Sequence, residues 1–359
     1  ALRQRAPERD TVVVPAYTCP LVALAVARCG LRLQLCDLRP ESFDFDPDAL
    51  ARACTHHTLA VVPTHIGGQL ADVDAALRCA RAVGAWTIED AAQALGARRN
   101  GASVGTQCDI GFFSLAVGKG LTLFEGGVLI ARDPALYAAC AAAHATLTPG
   151  GTGAWAWEMR RCAELLGYAL CYRPRLLDWV YRRPLRQALR RGDWEAAAGD
   201  DLGPAIPLHR VSRWRQAVGV RALARLPAFL EAGRQRAAQR LPRLRAIPGL
   251  EVLACNTSTS TATGTDPTWP VLLVLLPSQA RRDAVLSALW GAGCGVGLPF
   301  VQVLPDYPRY THCVPADAAL PHARALAGRL LAISNSLWLD DARFDALCQA
   351  ITRLLRQPQ

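Results

Sequence analysis

Residues 85–96 read AWTIEDAAQALG, and residues 109–131 read DIGFFSLAVGKGLTLFEGGVLIA. Ala85–Glu89 predicts a strand that ends on an acid, and Asp109–Ser114 and Gly127–Ala131 predict two more. Working back toward the start, Thr11–Pro15, Leu31–Asp37 and Leu59–Pro63 also read as strands. Between them, Leu21–Cys29, Pro47–Cys54 and Asp72–Val83 read as helices, with Gly30 and Gly84 at two of the stops. Strands alternating with helices imply an α/β fold with a mostly parallel sheet covered on both faces. Ligands bind such sheets beyond the carboxyl ends of the strands. His65, Asp90 and Ser114 fall at or just past such ends.

Beyond residue 131 the character changes. Residues 155–191 interleave Trp155, Trp157, Tyr168, Tyr172, Trp179 and Tyr181 with arginines, and Pro174 and Pro184 predict short helices. This insert, about 154–192, reads as a segment packed on its own protein rather than a helix lying on a membrane. Ser212–Arg240 predicts one long helix. Asn256–Asp266 is a Ser/Thr/Gly-rich loop. Strand Trp269–Leu276, helix Ser278–Leu289, strand Gly295–Pro299 and helix Asp341–Leu355 suit a smaller α+β C-terminal domain. The expected division is a large domain over 1–235 and a small one over 236–359. No internal repeat is visible.

Composition narrows the class. Of the 359 residues, 51% are apolar and 19% charged, enough for a sizeable core and against disorder. The longest aliphatic runs, such as Val271–Leu276, fall far short of the roughly 20 residues that span a bilayer. Ala1–Asp10 is polar and Arg-rich, unlike a signal peptide. The 13 cysteines include no Cys-x-x-Cys pair, so a zinc site or a disulfide framework is not expected, and reduced thiols in the cytoplasm are. The formal charge of +10 is spread along the chain without a nucleic-acid motif, and suits attraction of an anionic substrate better than nucleic acid.

Of the 40 cations, 39 are arginine and one, Lys119, is lysine. Where charge alone matters arginine suffices. Lysine can lose its proton and attack a carbonyl, which arginine does not do. Five residues before Lys119 lies Ser114, whose hydroxyl can donate to a phosphate; Glu125-Gly126-Gly127 follows. Asp90, at the end of its predicted strand, could pair with a pyridinium nitrogen or simply cap a helix.

These segments resemble the DegT/StrS family of sugar aminotransferases that depend on pyridoxal phosphate (PLP), of the fold-type I aminotransferase class. VVVPAYTCP (12–20), VVPTHIGGQLADVDA (61–75), EDAAQALGA (89–97) and DIGFFSLAVGKGLTLFEGG (109–127) carry the likeness, and RVSRWRQAVGV (210–220) extends it more loosely. The resemblance implies a three-layer PLP-dependent aminotransferase fold. It implies that Lys119 holds the cofactor as a Schiff base and is the catalytic residue. Asp90 would pair with the pyridine nitrogen, Gln93 would lie near the phenolic oxygen, and Ser114 would contact the phosphate. His65 would face the substrate side. The implied reaction moves an amino group from a donor such as glutamate to a nucleotide-linked keto-sugar, for surface polysaccharide or secondary metabolites, in a homodimer.

Three departures accompany the likeness. The family's Ser-Gly-Thr phosphate segment would lie upstream of Ala1, which leaves truncation or impaired phosphate binding as expectations. Cys19 stands where the family usually has an aromatic, and Leu208 where many members have Asn. A catalytically inactive relative with a regulatory or scaffolding role is therefore the alternative. A nicotinamide-dependent oxidoreductase fails, because residues 12–37 carry no glycine fingerprint between strand and helix.

Overall fold

The computed structural model describes all residues except 149–151, 174, 175, 177, 204–207, 254–263, 317, 358 and 359. Its first half builds one six-stranded sheet. The strands are β1 (Thr11–Pro15), β2 (Arg32–Cys36), β3 (Thr58–Val61), β4 (Trp86–Asp90), β7 (Ile110–Ser114) and β8 (Gly127–Ala131), with β5 (Arg98–Arg99) and β6 (Ala102–Ser103) forming a small side hairpin. The order across the large sheet is β2-β1-β3-β4-β7-β8. All neighbours are parallel except β7 and β8, which are antiparallel.

Alternation explains the layers. Val12 and Val14 of β1 face one core and Val13 the other. The first core takes Ala23, Leu24 and Val26 of a helix at Pro20–Arg28 (α2, after a single-turn α1 at Leu2–Arg5). The second takes Leu50 of α3 (Pro47–Ala53) and Ala76 and Ala80 of α4 (Val73–Ala82). Asp46 and Asp72 start α3 and α4 by accepting the amides of Ala49 and Ala75, satisfying otherwise orphaned donors. The chain then forms α5 (Pro134–Leu147), which the sequence reading did not anticipate.

The aromatic, basic insert differs from expectation. It begins with a 20-residue helix, α6 (Thr152–Cys171), because no proline interrupts this run of good helix formers. A single π-helical turn follows at Asp178–Arg182, then α7 (Arg183–Arg190) and α8 (Trp194–Ala198). Pro184 does not break a helix; it occupies the first turn of α7, where its missing N–H goes unneeded. Pro174 lies outside the described residues. Only one side of α6 is packed. Glu158 and Leu165 are buried, while Trp155, Met159, Leu166 and Leu170 are exposed.

Ser212–Arg240 is likewise two helices, α9 (Arg213–Leu223) and α10 (Leu226–Arg245). Pro227 in the first turn of α10 forces the restart, since it cannot donate to the preceding turn. The remaining strands are β9 (Glu251–Leu253), β10 (Thr265–Asp266), β11 (Val271–Leu275), β12 (Val296–Gly297) and β13 (Leu330–Ser334); the helices are α11 (Gln279–Leu289), α12 (Pro321–Arg329) and α13 (Asp341–Arg356). Four of these strands form an antiparallel sheet, β12-β13-β11-β9. β10 instead pairs with β5. Most of the predicted Asn256–Asp266 loop lies outside the described residues. The sequence reading missed β9, β13 and α12.

β11 joins two cores. Leu273 and Leu275 face the same core as β1 and α2, whereas Leu272, Val274 and Leu276 face a core made with α10, α11 and α13. β13 alternates in the same way, with Leu330 and Ala332 on one side and Leu331 and Ile333 on the other.

Candidate active site

Three chain segments meet beyond the carboxyl ends of β3, β4 and β7. The first is the turn 63–71. The His65 backbone N–H donates to the Asp90 carbonyl at 3.0 Å, and the Gly67 N–H donates to Gln93 Oε1 at 2.8 Å. The second is the run after β4, and the third is the loop 115–126 that carries Lys119. Leu95 of the second packs against Leu115, Leu121 and Leu123 of the third. A Cβ on Gly120 would stand 3.9 Å from the Leu95 carbonyl, so the lysine loop lies directly on the Asp90–Gly96 run.

Asp90 is buried, and one of its carboxylate oxygens accepts the Ala92 N–H at 3.0 Å. Burial pushes its pKa above the ordinary value, against that hydrogen bond and the charges of Lys119 and His65. Lys119 is half-buried. Desolvation lowers its pKa from the usual amine range, against the opposing fields of Cys19 and Asp90. The amine and the carboxylate thus lie within electrostatic reach of each other. Cys19, at the start of α2, shares this pocket. Burial pushes its thiol up to about 11; Asp90 and Asp200 add to the rise, and the Leu21 N–H and Lys119 oppose it. The thiol is therefore protonated at neutral pH.

Ser114 ends β7, and its Oγ accepts the Ala116 N–H at 3.3 Å, leaving the hydroxyl proton to donate elsewhere. His65 sits within the cluster with both ring nitrogens engaged. Nδ1 accepts the Ala71 N–H at 2.9 Å, which places the ring proton on Nε2, 3.0 Å from Glu89 Oε1. Both side chains are fully buried. Glu89 also accepts the Gln107 N–H at 2.9 Å. Burial alone would raise the Glu89 pKa, but the bonds from His65 and the backbone of Gly105 and Gln107 outweigh it and hold the carboxyl below its ordinary value. His65 and Glu89 together tie the turn 65–71 to β4. Leu208 is half-buried beside His209.

The structure adds residues that spacing along the chain did not reveal. Asp200 accepts the Val301 N–H at 2.8 Å and the Tyr307 hydroxyl at 2.6 Å, and its charge is felt at Cys19. Tyr17 donates to the Phe300 carbonyl at 2.9 Å, linking the turn after β1 to the C-terminal half. Among the described residues, the buried Thr18 hydroxyl has no hydrogen-bond partner, and no group of acids, histidines and cysteines could hold a metal ion.

The model of the DegT/DnrJ/EryC1/StrS aminotransferase family matches residues 2–168, which include the His65, Asp90 and Lys119 segments but not Asp200 or the Phe300–Tyr307 region. That segment carries the family's pattern. MosB of Rhizobium meliloti is 39% identical over 127 residues, 35% of this chain and 25% of MosB. The dTDP-3-amino-3,4,6-trideoxy-alpha-D-glucose transaminase of Micromonospora megalomicea subsp. nigra is 26% identical over 351 residues, 96% of this chain and 80% of that protein. The first curated relatives are matched over 25% to 36% of their own length. Among solved structures, the PMP-form of the putative sugar aminotransferase Spr1654 from Streptococcus pneumoniae superposes with a TM-score of 0.72 at 18% identity, covering 99% of this chain and 84% of that one. DesV of S. venezuelae gives 0.68 at 24% identity, covering 100% and 82%. The chain has their fold.

Proposed function

We propose that this chain is a PLP-dependent aminotransferase that moves an amino group from an amino acid such as glutamate to a keto-sugar carried on a nucleotide. One observation carries the reading: the loop of the chain's sole lysine packs on the Asp90–Gly96 run, its amine within electrostatic reach of the buried Asp90 carboxylate and its pKa lowered by desolvation. The residues fit the cofactor. Lys119 offers the amine, Asp90 a carboxylate for a ring nitrogen, Gln93 an amide held in place by Gly67, and Ser114 a hydroxyl proton for a phosphate. Thr18 offers a buried hydroxyl of the kind a bound ligand satisfies. Bound there, PLP supplies an electron sink for charge that develops at the donor's α-carbon.

The chain's own groups do the rest. An amine whose pKa is lowered by desolvation can attack a carbonyl carbon and can also take and return a proton. Asp90, fixed by Ala92, favours a proton on a nitrogen facing it. The net charge of +10 favours an anionic sugar carrier. The printed names of relatives support the substrate class, as with the dTDP-aminosugar transaminase and a GDP-perosamine synthase. No helix among the described residues is long and apolar enough to cross a membrane; a cytoplasmic setting and a division into large and small domains near residue 235 belong to the same proposal. So does a homodimer, supported by the unpacked apolar side of α6.

Borohydride reduction of the protein with PLP, followed by peptide mass spectrometry, tests the reading. A pyridoxyl adduct on the Lys119 peptide is expected, and Lys119→Arg should remove it. An adduct confined to the N-terminal amine would overturn the assignment.

A further inference from the structure

The loop that carries Lys119 is closed at its base by backbone bonds. Leu115 N–H donates to the Gly126 carbonyl at 2.9 Å, and Leu123 N–H to the Leu115 carbonyl at 2.8 Å. Within this base Phe124 has φ of 70°, a left-handed conformation that costs a bulky residue energy and persists only where its surroundings impose it.

What imposes it comes from far along the chain. Arg215 of α9 is 0% exposed. Its Nη1 donates to the carbonyls on both sides of Phe124, at 2.9 Å to Leu123 and 2.8 Å to Glu125. The same guanidinium is held by Glu158 of α6 through a fork, with Nε 2.7 Å from Oε1 and Nη2 on Oε2. Glu158 is fixed in turn by the Ser212 N–H at 2.8 Å, and His209 Nε2 stands 3.3 Å from it. Trp157 and Arg161, also on α6, reach the Glu125 carboxylate from outside, Trp157 at 2.9 Å. Under the clamp, α9 presents Gly219, where a Cβ would stand 3.3 Å from Leu123.

A buried guanidinium would be costly if its only task were to join two helices, since apolar residues of similar volume serve as well. Here the guanidinium's remaining nitrogen, Nη1, ends on two carbonyls of the lysine loop. We infer that Arg215, charge-paired by Glu158, is a positioning residue for Lys119: it fixes the Leu123–Glu125 base and thereby the site of the amine four residues earlier. The inference rests on the assignment of Lys119 as the reactive amine. It also gives the insert helix α6 a function, as the carrier of the counter-charge.

The sole lysine is its own reporter. Amine acylation with acetic anhydride, followed across pH by peptide mass spectrometry, reads Lys119 apart from the N-terminus. The charged or titratable groups facing it are Asp90 from β4 and Cys19 from the start of α2. The native protein should show a midpoint below the ordinary lysine range. Arg215→Gln should loosen the loop, hydrate the amine and move the midpoint up by about one pH unit, roughly a tenfold change in free amine at fixed pH. Glu158→Gln should move it in the same direction. Arg215→Lys, which keeps a charge but not the fork, should fall between. Arg215→Gln or Glu158→Gln with a lowered Tm but the native Lys119 profile would overturn the inference, leaving the pair purely structural. If Arg215→Gln does not fold, Glu158→Gln and Arg215→Lys decide alone. Failure of PLP to mark Lys119 in the native protein would instead count against the proposed function, and the acylation profiles would still test the clamp.

Discussion

Asp90 shows how one side chain can serve two ends. One oxygen closes a local turn with the Ala92 N–H, as an acid after a strand commonly does, while the carboxylate as a whole interacts with Lys119. Asp90→Asn keeps an oxygen for Ala92, so the fold should survive; aminotransfer, measured by coupled detection of the keto acid, should fall by a factor of roughly 10² or more. A variant with native turnover would remove Asp90 from the proposed chemistry. Lys119 stood out in the sequence as the sole lysine, Asp90 and Ser114 as residues at strand ends and Gln93 through the family resemblance; their roles belong to the proposal. Cys19 was visible as a departure, but its approach to Lys119 was not. Arg215 and Glu158 were illegible: Arg215 reaches the loop across 92 residues of sequence and its partner Glu158 across 57, and an arginine among 39 gives no signal of burial. His65 was read toward substrate, whereas both of its ring nitrogens are occupied by Ala71 and Glu89.

At the level of elements, helices α6 and α9 are joined by a titratable group. Burial would raise the Glu158 pKa, but Arg215 and Ser212 outweigh it and hold the carboxyl at about 2. A folded-state pKa below the unfolded one means that the pair's contribution is complete above the ordinary glutamate range, and is lost as the pH falls through 4 toward 2. The contribution is on the order of 3 kcal/mol. Urea melts of the native protein and of Glu158→Gln should therefore differ most near neutral pH and converge toward pH 2. A gap that does not change with pH would contradict the ion pair. Most element positions could be read from periodicity: the starts read at Pro47, Asp72, Ser212, Ser278 and Asp341 fall within one residue of the observed caps Asp46, Asp72, Ser212, Ser278 and Asp340. The joins were harder to read. Pro184 and Pro227 look like breakers, yet each opens a helix, and which end of a helix a proline marks depends on residues on both sides.

For the molecule as a whole, the unpacked side of α6 is the clearest demand for a partner. Trp155, Met159, Leu166 and Leu170 recur at helical spacing on one face. A second copy covering them should give a dimer in sedimentation, and Leu166→Arg should shift it toward monomer. A native monomer at micromolar concentration would remove this support for the homodimer. A different feature governs how the chain comes apart. Alternate residues of β11 belong to different cores, so neither core can open without stripping one side of the strand. Amide hydrogen exchange should register this directly. Leu272 and Leu273, neighbours that point in opposite directions, should exchange with the same opening free energy and the same denaturant dependence, as one cooperative unit spanning both sheets.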